Sequence, residues 1–151
     1  MMLELARSVR TDDAPVVLYG WSLGAGNAIA TAALDASSQD PIVAGVVAEA
    51  PYRQAWTPAF AVIRAANLPW RVNGPLAFAL MGLRLTGDPT WRGFDRARHA
   101  ARTRCPILVV HGTADTICPY ADAQAIASAA PDATLIPVPD AGHKNLWTEQ
   151  L

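Results

Sequence analysis

Four short stretches of the chain are near-continuous apolar runs bounded by turn residues, at 16–20, 42–49, 106–111 and 134–138. Runs of this length, rich in Val, Ile and Leu, read as strands of a parallel sheet covered on both faces. The segments between them are long enough for crossover helices, which gives right-handed βαβ units. The first such segment opens with the small-residue run Ala25-Gly26-Asn27-Ala28-Ile29-Ala30. Residues 1–10 read as the tail of a helix ahead of the first strand, and another helix is expected to begin near Asn145. Pro137 cannot donate to a ladder, so the last strand belongs at a sheet edge. The pattern predicts an α/β fold: a mainly parallel sheet of about four strands flanked by helices.

Residues 52–104 depart from this rhythm. A crossover needs a dozen or more residues, and this one has about fifty. It holds apolar helical stretches near 57–66 and 75–85, with Trp56, Phe60, Trp70, Phe78 and Trp91, and Pro58, Pro69, Pro75 and Pro89 are expected to break it into short pieces. Two readings stay open: an apolar lid that shapes an acyl pocket and excludes water, or ordinary packing of short helices on the sheet.

Composition adds little to the class and removes several functions. Hydrophobic residues make up 52% and charged residues 17%, as in a piece of a globular domain. No apolar run is long enough to span a bilayer, and no signal peptide stands at this N-terminus; with the true N-terminus expected upstream this says little about export, and the location stays unknown, with cytoplasmic only as a default. Nine Arg against Asp88 and Asp95 give residues 52–104 a net +7, while the remainder carries −8 and the whole chain −1. A basic cap favours an anionic substrate or membrane face; salt bridging and solvation are the plainer account. The scattered Arg, with no accompanying motif, do not make a nucleic-acid site. Cys105 and Cys118 bracket the third strand about 20 Å apart, at ~3.3 Å per strand residue, too far for a disulfide. Cys118 lies close to Asp115 in sequence and reads as a spacer rather than a nucleophile. No Cys/His set has metal-ligand spacing, and Gly24-Ala25-Gly26 is too short for a dinucleotide or phosphate loop. No cofactor and no metal are expected.

The chemistry concentrates at Gly20-Trp21-Ser22-Leu23-Gly24, between the first strand and its helix. A serine at the apex of a strand–turn–helix needs unusual backbone angles, and Gly20 and Gly24 carry no side chain to collide there. The helix N-terminus aims free N–H groups at the serine, so the Leu23 N–H is a natural oxyanion donor. Serine needs a base, and the base an orienting acid. Among His99, His111 and His143, the third follows Pro139-Asp140-Ala141-Gly142 on a loop behind the last strand and is the candidate base. His111 reads as a hydrogen-bonded residue shaping its loop, and His99, among Arg96, Arg98 and Arg102, as part of a solvated helix face. Asp115, just past the third strand, is the candidate acid; Glu49 and Asp140 remain competitors. Pro119 is placed to open the next helix.

Together, Gly20-Trp21-Ser22-Leu23-Gly24, His111-Gly112-Thr113-Ala114-Asp115 and Ala141-Gly142-His143 resemble the α/β-hydrolase superfamily in its chain order Ser…Asp…His. Glu49-Ala50-Pro51-Tyr52 resembles a turn of its serine aminopeptidase-like and Bem46-like branch, where Val tends to stand at the position of Cys118. The resemblance implies that the four strands are the fifth to eighth of that fold, in one incomplete domain over 1–151 with a cap-like insertion over 52–104. The first four strands, and the loop that supplies the second oxyanion donor, have no counterpart. The chain is therefore expected to be a fragment of a longer protein or an incomplete gene model. The implied catalytic residues are Ser22, His143 and Asp115, with Leu23 for the oxyanion and Trp21, Tyr52 and Trp56 as candidate substrate contacts. The implied activity is hydrolysis of a small carboxylic ester or thioester, with an amide or peptide also open. An acyltransferase using the same triad and a non-catalytic hydrolase-like binding domain are the alternatives. Strand 16–20, central in the whole fold, would here be an exposed apolar edge.

Overall fold

A computed structural model describes residues 2–12, 14–66 and 70–147. In chain order the elements are α1 (Met2–Val9), β1 (Val16–Trp21), α2 (Leu23–Asp35), β2 (Val43–Glu49), α3 (Trp56–Ala65), α4 (Trp70–Thr86), a 3₁₀ turn (Arg92–Phe94), α5 (Arg96–Ala100), β3 (Ile107–Gly112), α6 (Tyr120–Ala129) and β4 (Ala133–Val138). All four predicted strands are present. They form one sheet in the order β1-β2-β3-β4, and every neighbouring pair is parallel. β4, which contains Pro137, is an edge strand, as expected.

The core lies between this sheet and one layer of helices. Ala25, Ala28, Ile29 and Ala32 of α2 meet Leu18, Val46, Ala48, Ile107 and Val109, with Ala97 and Ala100 of α5 and Ala123 and Ile126 of α6 beside them. Alanines at the contact let the helices lie close to the strands. Asp35 closes the loop to β2 by accepting from the N–H groups of Ile42 and Val43 at 2.8 and 2.7 Å.

The expectation of a sheet covered on both faces fails at β1, whereas β3 is buried on both sides apart from the half-buried Leu108. Leu18 and Gly20 of β1 are buried under α2, whereas Val17 and Tyr19 point the other way and are 59% and 65% exposed. Among the described residues, the helices that pack on the sheet (α2, α5 and α6) share the core of a single face. Apolar residues on both sides of a strand say that both faces are suited to burial, not that this chain supplies both covers.

Three further readings of the connections change. α4 runs 17 residues straight through Pro75, and Pro58 sits in the first turn of α3, where a missing N–H costs nothing; neither breaks the segment. Pro69 lies outside the described residues. α5 packs against α2 and α6 and is the crossover helix from β2 to β3, so the excess of this connection consists of α3, α4 and the 3₁₀ turn. The helix expected near Asn145 is not formed over the described residues, which make bends and a turn as far as Trp147; 148–151 lie outside them.

Of the basic residues in this connection, Arg53 forms a two-pronged pair with Asp95 at 3.0 and 2.9 Å. Arg98 lies 3.9 Å from the same carboxylate. Asp95 also caps α5, accepting from the Ala97 and Arg98 N–H groups. Arg96 is buried, stacks over Phe94 at 3.9 Å and approaches His99 Nδ1 at 3.3 Å. Burial, with Arg96 and Arg102 nearby, lowers the pKa of the half-buried His99, so this part of α5 faces inward rather than forming a solvated face.

Candidate active site

The loops at the carboxyl ends of β1, β3 and β4 bring three side chains together. Ser22 stands between β1 and α2 at φ 52°, ψ −112°, in a region that non-glycine residues occupy only under constraint. Its N–H donates to the Glu49 carbonyl at 2.8 Å, and its carbonyl accepts from the Gly26 N–H at 3.3 Å, which fixes the turn at both ends. A Cβ on Gly20 would overlap the Gly24 carbonyl, but one on Gly24 would meet nothing within 4 Å. Glycine is thus required sterically at Gly20, and the symmetrical expectation for Gly24 is corrected.

His143 is held by the loop after β4. A Cβ on Gly112 would overlap the Ala141 carbonyl, so the end of β3 and this loop touch backbone to backbone. The Ala114 N–H donates to that carbonyl at 3.0 Å, and Asn145 Oδ1 accepts from the Gly142 N–H at 2.6 Å. His143 Nε2 then lies 3.0 Å from Ser22 Oγ, and Nδ1 2.7 Å from Asp115 Oδ2. Trp21 donates its indole N–H to the His143 carbonyl at 3.2 Å and packs its ring 5.0 Å from the imidazole.

Asp115 is buried among donors. Its Oδ1 accepts from the N–H groups of Ile117 and Cys118, each at 2.8 Å, and its Oδ2 lies 3.4 Å from His111 Nε2. Burial pushes the carboxyl up, yet the bonds from His111, Cys118, His143 and Ile117 together outweigh it and hold the pKa at about 2. The group is a carboxylate at any ordinary pH. His111 Nε2 also lies 2.8 Å from the Cys118 carbonyl, which matches the loop-shaping role read from the sequence.

The competing acids point elsewhere. Glu49 accepts from Tyr19 Oη at 2.6 Å and from Trp147 Nε1 at 2.8 Å. Asp140 is exposed, in the left-handed region at φ 58°, and its N–H donates to Thr113 Oγ1. Asp115, Cys118 and His143 bring ligand-capable atoms within 4.8 Å of one another, a cluster that sequence spacing does not reveal. Burial pushes the Cys118 thiol up to about 12, the Asp115 charge adds to this, and a hydrogen bond with Ser22 opposes it. A neutral thiol and a carboxylate already shared among four donors suit a packed polar core better than a metal. Both cysteines are free and buried.

Leu23 opens α2, so its N–H has no partner within the helix. Its side chain and Tyr52 line a cavity of about 390 Å³ under α3 and α4. Trp56 lines a separate space of about 900 Å³, with Thr116 and Ile117 of the acid loop and Arg64. Neither the place of Trp21 on the imidazole nor that of the Cys118 thiol against Ser22 has a signal in the sequence; both depend on loops that meet only in three dimensions.

A parallel sheet flanked by helices, with a strained serine elbow and an Asp–His–Ser hydrogen-bonded chain at its carboxyl end, defines a class: an α/β-hydrolase fold, here in part. The chain belongs to the Alpha/beta hydrolase family, whose model matches residues 2–150. It is 40% identical over 58 residues to a "Probable proline iminopeptidase" of Leptolyngbya boryana, an alignment covering 38% of this chain and 16% of that protein. Its fold resembles an acetyl xylan esterase from Paenibacillus sp. R4, with TM-score 0.67 and 21% identity over 95% of this chain and 45% of the other. It also resembles a putative non-heme bromoperoxidase, BpoC, of Mycobacterium tuberculosis H37Rv, with TM-score 0.63 and 18% identity over 98% of this chain and 66% of the other. The chain spans less than half the length of the esterase. No helix among the described residues is long and apolar enough to cross a membrane.

Proposed function

We propose that the chain carries the nucleophile, base and acid of a serine hydrolase acting on a carboxylic ester or thioester. The observation that carries this reading is the unbroken chain from Ser22 Oγ through His143 to Asp115, with spacings of 3.0 and 2.7 Å. Ser22 Oγ attacks the carbonyl carbon while His143 Nε2 takes its proton. The negative charge moves to the carbonyl oxygen, which the Leu23 N–H and the α2 N-terminus stabilise. Collapse of this intermediate breaks the bond to the leaving group, which receives the proton from His143. Water then repeats the sequence on the acyl-Ser22 ester and releases the acid. Asp115, a carboxylate throughout, fixes the tautomer in which Nε2 is free to accept, and stabilises the imidazolium.

The probable proline iminopeptidase and the acetyl xylan esterase named above support acyl transfer to water, and an amide or peptide stays within its reach. Leu23 supplies one oxyanion donor. The family's second donor, from the loop after its third strand, has no counterpart among the described residues. Loss of one such donor costs about 10²- to 10³-fold in kcat, so the 151-residue chain by itself is expected to turn over slowly.

The test is labelling by a small fluorophosphonate, beside Ser22→Ala. Covalent mass on Ser22, absent in the variant, is the expected result. A folded protein that takes no label at Ser22 overturns the reading in favour of a non-catalytic binding module.

A further inference from the structure

We propose that the cavity of about 390 Å³ beside Leu23 is the acyl site, that it takes an uncharged, apolar acyl group, and that Trp91 sets how long that group can be. This deepens the hydrolase reading and rests on it. Position is the first argument. A carbonyl held between Ser22 Oγ and the Leu23 N–H places its acyl substituent next to Leu23, and Leu23 is itself a wall of this cavity.

Chemistry is the second. Tyr52, Phe60, Phe78, Trp91 and Phe94 line the space together with aliphatic residues, and no Asp, Glu, Lys, Arg or His is among the described lining. A carboxylate or ammonium drawn in would lose its water and find no counter-charge. The indole N–H of Trp91 is already spent on the Phe78 carbonyl at 3.0 Å. Every methylene that enters gains the free energy of leaving water.

Rigidity at one wall is the third. Trp91 is buried and sits in the left-handed region at φ 54°. Its ring stacks on Phe78 at 4.9 Å and meets Phe94 edge-on at 5.6 Å. It also lies directly on the α4 backbone: a Cβ on Gly82 would overlap the indole nitrogen. Helix on one side and Phe94 on the other leave the indole no room to retreat, so it is a fixed stop rather than a yielding one.

The experiment is a series of p-nitrophenyl esters from acetate to dodecanoate, with mono-p-nitrophenyl adipate as a charged acyl group and fluorophosphonate labelling of Ser22 run alongside. In the unaltered protein kcat/KM should rise about fourfold per methylene, reach a limit and then fall, with the adipate ester well below the hexanoate. Trp91→Ala should move the limit to longer chains. Trp91→Phe, which keeps a ring in place, should leave it nearly unchanged. Ala77→Phe, which narrows the same cavity from its α4 wall, should move the limit to shorter chains even if Trp91→Ala does not fold. A flat or falling series from acetate onward, or a preferred adipate, with Ser22 still labelled, overturns the acyl-site assignment. An unchanged limit in folded Trp91→Ala overturns the role of Trp91. No label on Ser22 instead sinks the hydrolase reading beneath both.

Discussion

Asp115 shows how one side chain is given its role by its surroundings. Burial alone would raise its pKa and favour the neutral acid. Two backbone N–H groups and two histidines reverse this and hold the value at about 2, below the ordinary 3.8. An amide at this position would still pack, but it would favour the tautomer of His143 that cannot accept from Ser22. Asp115→Asn is therefore expected to lower kcat by about 10⁴-fold with KM little changed, read by ester hydrolysis. The same shift has a pH signature. A carboxyl with a depressed folded pKa contributes stability above its unfolded pKa, and that contribution is lost as pH falls through the folded value. Between about pH 4 and pH 2 the unaltered protein should lose Tm more steeply than Asp115→Asn. Parallel melting curves across that window would show that Asp115 is not held ionised by its neighbours.

At the level of elements, the serine elbow and the histidine loop use one device, close backbone approach where glycine stands. Gly20 and Gly24 occupy matching places in the motif, yet only Gly20 faces backbone that a methyl group would overlap. Gly20→Ala should cost more than ~3 kcal/mol or leave the protein insoluble. Gly24→Ala, inside α2, should be neutral or stabilising by up to ~1 kcal/mol and still label at Ser22. Equal losses in chemical denaturation would refute this distinction. The contrast also marks what a sequence can tell. Strand runs ending in Gly20-Trp21-Ser22, His111-Gly112 and Val138 placed each motif at a strand's carboxyl end, so Ser22, His143 and Asp115 were legible before any fold was known. Glu49 could be set aside only once Tyr19 and Trp147 were seen to claim its oxygens. The stacking of Trp21 on His143 was hidden because its partner lies far away in the chain, and so was the inward turn of Arg96, whose guanidinium reaches Asn27 Oδ1 of α2 at 3.3 Å. α4 runs through Pro75 against expectation, and with Leu76, Leu80, Met81 and Leu83 exposed nothing in its packing explains this.

For the whole molecule, the two edges and two faces of the sheet are unlike. β4 carries Pro137, which blunts its edge. β1, at the other end of the order, has no such device, and its outward side chains Val17 and Tyr19 are exposed. Unpaired strand N–H and C=O groups beside exposed apolar side chains form a template for further pairing. In the 151-residue chain by itself, the available cover is a second copy. The chain is therefore expected to self-associate, with light scattering giving a mass above the 16.0 kDa of one copy and rising with concentration. Val17→Lys, which puts a charge on the open face without touching the core around Leu18, should shift the population toward the monomer and leave Ser22 labelling intact. A monodisperse 16.0 kDa species that melts cooperatively at all concentrations would mean that the open face is stable in water. The one-sided core would then suffice for the fold, and the strained elbow at Ser22 would be held by α2 and β2 without help from the far side of the sheet.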